Sequence, residues 1–264
     1  MSDPVIHSSA IVEDGAELAD GVEIGPFCCV GPHVKLGANV KLIAHVTIQG
    51  RTKIGANSKV APYTVLGGAP QHIGYRGEDT LLTLGENNDI RENVTMNLGT
   101  AQGRGETLIG DNGLFMTGVH IGHDCIVHDN VIFANNATLG GHVIIGDYVF
   151  IGGFSGIHQN CQIGPYAFLG AMSVANHDLI PFGSANGIYA DLAGLNLIGM
   201  KRRGMSRDVI NELRKAYRLL FADEGSFKER MDDVASLFEA HPEVMRVIDF
   251  IKNERARPIM MPKN

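Results

Sequence analysis

An apolar residue returns at every sixth position, in one register, along most of this chain. The series runs Ile6, Val12, Leu18, Ile24, Val30, Leu36, Leu42, Ile48, Ile54, Val60 and Leu66. It resumes at Leu84, Ile90 and Met96, and again from Ile109 to Leu169. Only Met96, Phe115 and Phe133 depart from Ile, Leu or Val at this position. A period of six matches neither the alternation of a half-buried strand nor the turn of an α-helix. It marks a solenoid in which each unit is one short strand and one corner. The expected fold is all-β plus α: a left-handed parallel β-helix of hexapeptide repeats, then a small C-terminal helical domain.

Within a unit, the first position should fill the axis of a triangular prism. The fifth should also point inward, since it holds small or β-branched residues: Ala10, Val22, Cys28, Val34, Val131, Ala137, Val143 and Ser155. The second position is often glycine, as at Gly25, Gly122 and Gly164, which suits a tight and left-handed corner. Three units make one coil, so residues eighteen apart should stack at roughly the 4.8 Å strand spacing.

Residues 72–83 leave the frame and return to it, with Leu66 and Leu84 read as one full coil apart. Residues 102–108 shift it by one residue, and Gly103-Arg104-Gly105 fits a loop turn there. Both read as loops leaving the prism, a common place for function. The hexads end near residue 188, so the prism is assigned to 1–188 and the helical domain to 189–264. Apolar residues at 209, 210, 213, 216, 217, 220 and 221 predict one helix after Ser206. Ser226-Phe-Lys-Glu229 reads as a capping box opening the next. Pro242 breaks that helix and Val244 starts a third.

The formal net charge of −7 argues against general nucleic-acid binding. No apolar stretch approaches the ~18–20 residues that a membrane-spanning helix needs. The N-terminus lacks the basic and apolar regions of a signal peptide, and a cytoplasmic location is expected. Cys28, Cys125 and Cys161 occupy inward fifth positions beside Cys29, with spacings unsuited to a zinc knuckle.

The chain has 11 histidines, and His120, His123, His142 and His158 lie close together in the solenoid. Stacking by eighteen sets Gly141 and then Gln159 beside His123, His142 beside Asp124, and Gly140 and then His158 beside Gly122. Three readings compete for this strip. The histidines could be corner residues with no role. They could hold a metal, as in a trimeric β-helical enzyme such as a γ-class carbonic anhydrase. Or they could serve acyl transfer, with His123 as general base, Asp124 orienting it and the Gly141 amide meeting an oxyanion. The basic run Lys201-Arg202-Arg203, followed by Arg207, Arg214, Lys215 and Arg218, is either a solvated helix face or an anion site.

The runs His120-Ile-Gly-His123-Asp124-Cys, Ala134 through Gly141-His142, His158-Gln159, and Asn196 through Lys201-Arg202-Arg203-Gly204 carry a resemblance. They are similar to the UDP-N-acetylglucosamine O-acyltransferases of lipid A biosynthesis, and the likeness covers nearly the whole chain. It implies a homotrimer with sites in clefts between subunits. It implies a 3-hydroxyacyl chain carried on the phosphopantetheine of acyl carrier protein, passed to the glucosamine 3-hydroxyl of a UDP-sugar, with no bound cofactor and no metal. By motif, His123, Asp124 and Gly141 would be catalytic. His120, His142, His158, Gln159, Gln71, His72, Asn196, Arg202 and Arg203 would bind substrate. Ala171, with Met172 beside it, would limit acyl-chain length. Arg214 and Arg218 would meet the carrier protein.

The chain also departs from the family. Its loop reads Gln71-His72-Ile73-Gly74-Tyr75 where relatives carry an acid and a lysine. Asn97-Leu98 replaces a His-Arg pair, and Ile198 replaces a glutamate. Two alternatives stay open: a 3-amino UDP-sugar as acceptor, giving an amide, or a β-helical scaffold that kept only the repeat.

Overall fold

A computed structural model describes residues 2–253 and 256–263 of the chain. The first part is a three-sided prism of short parallel strands, most of them two residues long. The strands form sheets of eleven, nine and eight members, here called the first, second and third faces. The chain visits them in turn: Glu23–Ile24 on the first, Cys29–Val30 on the second, Lys35–Leu36 on the third. The next coil then returns to the first, pairing Glu23 with Lys41 and Ile24 with Leu42. From Ile24 onward the first-position residues are buried along the axis, whereas Ile6 on the terminal coil is exposed and Val12 and Leu18 are partly covered. Val22, Cys28, Val34, Val131, Ala137, Val143 and Ser155 at fifth positions are also buried, whereas Ala10, on a terminal coil, is only partly covered.

The corners differ from the sequence reading. The left-handed residue is the fourth of the unit, not the second. It is Asn at 39, 57, 87, 93, 112, 130, 136 and 160, and at other corners residues that include Asp124, His142, Tyr148 and Tyr166. Asn and Asp tolerate this conformation better than most residues. The second-position glycine serves a different need. A Cβ at Gly25 would run into the Ile43 carbonyl of the next coil, and one at Gly55 into Gly85. Glycine is there for close stacking of backbones.

The first insertion also differs. Leu84 pairs with Ile54 on the third face, whereas Leu66 pairs with Ile48 on the second. The two leucines therefore occupy adjacent strands of one coil, and the segment between them is an insertion at a corner. The second insertion lies between Thr95–Asn97 on the second face and Glu106–Ile109 on the third. Both loops thus leave the prism from its second–third corner, in neighbouring coils.

A hairpin missed by the hexad pattern, Gly183–Asn186 with Asp191–Leu195, extends the first face antiparallel and spans residue 188. Four helices follow: α1 (Leu197–Arg202), α2 (Arg207–Leu220), α3 (Phe227–Leu237) and α4 (Pro242–Lys252). Ser206 caps α2, whose inward stripe is Ile210, Leu213, Ala216 and Leu220. Ser226 and Glu229 form the capping box of α3. Pro242 opens α4 rather than only ending α3, because the first helical residue has no amide bond to lose. Helix α1, too short for a periodic signal, was not anticipated. Beyond α4 the chain returns to the prism, where the Pro258 carbonyl accepts from the Asp178 amide at 2.8 Å. Among the described residues no helix is long and apolar enough to cross a membrane.

Candidate active site

The second–third corner carries His123 and Asp124 between strands His120–Ile121 and Ile126–Val127. The stacking by eighteen holds here. The His142 amide donates to the His123 carbonyl at 2.9 Å, and the Asn160 amide to the Gly141 carbonyl at 3.1 Å. The left-handed backbone at Asp124, φ 60°, lets consecutive side chains converge. His123 Nδ1 lies 2.8 Å from Asp124 Oδ2.

Asp124 has no exposed side-chain surface, and the second inserted loop wraps it. Its Oδ1 accepts from the Thr100 amide at 3.0 Å and the Arg104 amide at 2.8 Å. Its Oδ2 accepts from the Thr100 hydroxyl at 2.6 Å. A Cβ at Gly103 would collide with this carboxylate, so the loop's glycine lets it close. Burial alone would push the Asp124 carboxyl up. The hydrogen bonds from Thr100, His123 and Arg104 outweigh it and hold the group below its ordinary value. An ionised Asp124 can only accept, so His123 Nδ1 donates, and in the neutral ring the lone pair falls on Nε2. Thr100, Thr107, whose hydroxyl takes the Asp124 amide at 2.8 Å, and the Arg104 amide were not singled out from sequence. Only the Gly-Arg-Gly turn signalled that segment.

The first inserted loop reaches the same place. The His72 ring meets His123 edge-on at 5.2 Å, as does His142 at 5.1 Å. Burial lowers the pKa of His142, with Asp124 opposing and neighbouring imidazoles reinforcing. His120, hydrogen-bonded to the Thr95 hydroxyl at 2.8 Å, is also held toward its neutral form by burial. His123, Asp124 and His142 have ligand atoms within 4.8 Å of one another, the spacing of a cation site. Both Asp124 oxygens, however, already accept two hydrogen bonds each.

Gly141 is where the imidazole packs. A Cβ there would sit 2.6 Å from His123 Cε1 and 2.7 Å from Nε2. The Gly141 amide donates to no group among the described residues. On the same peptide unit, the Gly140 carbonyl accepts from the Cys125 thiol at 3.1 Å. Burial pushes that thiol up to about 12, so it stays a donor. The corner therefore combines a free basic nitrogen, an oriented carboxylate and an unspent amide.

Several of the other expected residues lie away from this corner. Asn196 caps α1, accepting from the Gly199 amide at 3.0 Å and donating to the Tyr166 carbonyl at 2.9 Å. With Arg202 and Arg203 it borders a cavity of about 690 Å³ at the third–first corner, lined also by Tyr148, Tyr166 and Ile198. Arg203 lies over the Tyr148 ring at 5.0 Å. Ala171 and Met172 stand at the first–second corner, both exposed. Arg214 and Arg218 are exposed on α2. Gln71 and His72 are exposed in the first loop, and His158 and Gln159 are exposed at the second–third corner. One chain thus gathers the histidine strip but not the arginines or Ala171 around it.

Parallel six-residue coils with a chemically equipped corner define a hexapeptide-repeat transferase. Residues 33–68, 106–141 and 142–177 match the bacterial transferase hexapeptide family (six repeats). Residues 178–260 match the second domain of UDP-N-acetylglucosamine O-acyltransferase. The chain is 58% identical over 205 residues to an acyl-[acyl-carrier-protein]–UDP-N-acetylglucosamine O-acyltransferase from Methylobacterium radiotolerans, covering 78% of this chain and 75% of that one. It is 53% identical over 216 residues to one from Caulobacter vibrioides, with 82% of each covered. A crystal structure of the Moraxella catarrhalis UDP-N-acetylglucosamine O-acyltransferase superposes with a TM-score of 0.93 at 41% identity, over 97% of this chain and 99% of that one. The chain belongs to the family of acyl-[acyl-carrier-protein]–UDP-N-acetylglucosamine O-acyltransferases.

Proposed function

We propose that this chain moves a 3-hydroxyacyl group from the phosphopantetheine thioester of acyl carrier protein to the glucosamine 3-hydroxyl of UDP-N-acetylglucosamine, the reaction that opens lipid A assembly. The observation that carries this reading is the His123 Nε2 lone pair beside the unspent Gly141 amide. His123 would take the proton of the sugar hydroxyl as its oxygen attacks the thioester carbonyl. The Gly141 amide would donate to the oxyanion that forms. Collapse breaks the carbon–sulfur bond, and the imidazolium returns its proton to the departing thiolate. Asp124 keeps the imidazole in the required tautomer throughout. No bound cofactor enters these steps. The saturated oxygens of Asp124 favour this reading over a metal-bound one.

In this reading His120, His142, His158, Gln159, Gln71 and His72 line the sugar and acyl clefts. Asn196, Arg202 and Arg203 meet the nucleotide and its pyrophosphate, where guanidinium forks suit phosphate oxygens. Ala171, with Met172, limits the chain, and Arg214 and Arg218 face the acidic carrier protein. Because these groups stand on different corners of one prism, a complete site calls for neighbouring copies, and a homotrimer supplies them. A cytoplasmic location goes with soluble nucleotide-sugar and carrier-bound substrates. A second reading, transfer to a 3-amino sugar, draws on His72, which sets an imidazole against His123.

Mass spectrometry of the product tests both, with purified protein offered the hydroxyl and amino sugars and a series of acyl carriers. An ester product supports the first reading and an amide the second; no product with either sugar refutes both. Mixing His123→Ala and Arg203→Ala subunits before assembly tests the shared site. Recovered activity is expected, and none would mean that one chain supplies both residues. Chelator should leave turnover unchanged.

A further inference from the structure

The tail after α4 carries a residue to the histidine strip. Arg257 places Nη2 at 2.7 Å from His158 Nδ1 and Nε at 3.3 Å from the Gln159 carbonyl oxygen. His158 stands on the coil next to Gly140 and Gly141, where the Gly140 amide donates to the Ile157 carbonyl at 2.9 Å. The tail is anchored on the prism. Ile259 forms a parallel bridge with Asp178, and the Met260 amide donates to the Asp178 carbonyl at 2.7 Å. The Leu192 amide donates to the Met261 carbonyl at 3.1 Å, and the Met260 side chain is buried. Arg257 is therefore held rather than trailing in solvent.

From this geometry we infer that Arg257 is a positioning residue of the proposed active site, holding His158 as the tautomer that donates from Nε2. A guanidinium has donors only, so at 2.7 Å the Nδ1 atom must accept. A competing arrangement exists, because His158 Nδ1 also lies 3.2 Å from the Gln159 carbonyl oxygen and could donate to it. That oxygen is the longer contact, and Arg257 Nε already serves it. The fork thus satisfies the carbonyl and claims the Nδ1 lone pair together, which leaves the proton on Nε2. The two histidines of the corner end in opposite states: His123 offers a lone pair at Nε2, and His158 offers a proton. A base for the acceptor hydroxyl and a neutral donor for the substrate's oxygens are both needed, and two unassisted imidazoles would not divide those tasks.

This inference rests on the acyl-transfer reading for the meaning of the donor, but the tautomer can be read without turnover. Nitrogen NMR of the full-length protein labelled in histidine, with His158 assigned by loss of its signals in His158→Gln, reports which ring nitrogen is protonated. The wild type should show a bare Nδ1 and a protonated Nε2. Arg257→Met keeps most of the stem and no donor. It should lose that signature and lower kcat/KM by roughly tenfold, the scale of one hydrogen bond to a charged group, with the thermal midpoint unchanged. Arg257→Lys restores a donor and should recover most of both. A protonated Nδ1 in the wild type would overturn the inference. So would equal losses in the Lys and Met variants, or a Met variant with unchanged kcat/KM. Wild-type protein that forms no acylated sugar at all would instead reject the functional reading, and would do so before any variant is made.

Discussion

The second–third and third–first corners are made from the same hexad, yet they are finished differently. At the first, two inserted loops close over the strand ends and the Asp124 carboxylate is fully tied. Asp124 accepts four hydrogen bonds, and the His123 side chain is 13% exposed. At the second, Tyr148, Tyr166 and Phe182 stack at 4.8 and 5.3 Å. Arg203 rests on that ladder by one cation–π contact and is otherwise exposed. The contrast teaches that the same repeat can present a rigid reacting centre or an adaptable charged clamp. Proton transfer and oxyanion contact demand fixed geometry over a few tenths of an ångström. Holding a flexible diphosphate demands charge and reach.

Substitutions at the tied corner should be the most damaging. His123→Ala should lower turnover by about two to four orders of magnitude with circular dichroism unchanged. A variant keeping more than a tenth of wild-type activity would remove His123 as the base. Gly141→Ala should cost about two to three orders in kcat, although the amide survives. The added methyl would occupy the imidazole's place, and a crystal structure should show the His123 ring displaced.

The clamp should respond in binding. Arg203→Ala is expected to raise KM for the UDP-sugar by about tenfold to a hundredfold, the scale of charge-assisted hydrogen bonds, with kcat nearly kept. If kcat falls instead, the arginine belongs with the reacting groups and the contrast between corners weakens. At the remaining corner, one methylene of pocket depth is worth about 1–3 kcal/mol of discrimination. Ala171 should give a preference for medium chains of about twelve to fourteen carbons, Ala171→Gly should lengthen it, and Ala171→Met should shorten it. Competition assays over a series of acyl carriers would read this. A preference unmoved by both changes would locate the limit elsewhere.

The smallest effect is on stability. His120 and His142 have pKa values lowered, first of all, by burial, so below about pH 6.5 the unfolded chain binds more protons than the folded one. Stability should be full above that pH and fall as pH drops through the lowered folded values. Asp124, depressed in the fold, adds a second loss as pH falls from about 3.9 through its own folded value. Thermal midpoints across pH should slope in the upper window, and His120→Gln with His142→Gln should flatten that slope. An unchanged slope would mean that neither imidazole is held neutral.

The sequence by itself determined the prism. A strict period of six leaves no other way to bury Ile24, Leu42 and Val60 on one axis, and the same period stacks Gly141 on His123 and His142 on Asp124. It also marked the helices begun by Ser206 and Ser226, because capping is local chemistry. What it misread was set by contacts between coils. The second-position glycine answers to the backbone of the next coil, so its role was taken for a left-handed turn that Asn and Asp supply two residues later. Leu84 kept a spacing of eighteen from Leu66 by coincidence of insertion length, and only strand pairing showed it to be one face on rather than one coil on. Gly103 and Arg104 were legible as a loop turn, but their contact with Asp124, and that of Thr100, had no signature, since a loop's partner depends on where its two ends leave the prism. The same holds for Arg257, which reaches His158 only because a buried Met260 and the Asp178 bridge return the tail across ninety-nine residues of chain. Periodicity is a property of neighbours in sequence and was legible. The closing of two loops and a tail over one corner is a property of neighbours in space, and the tertiary structure alone decided it.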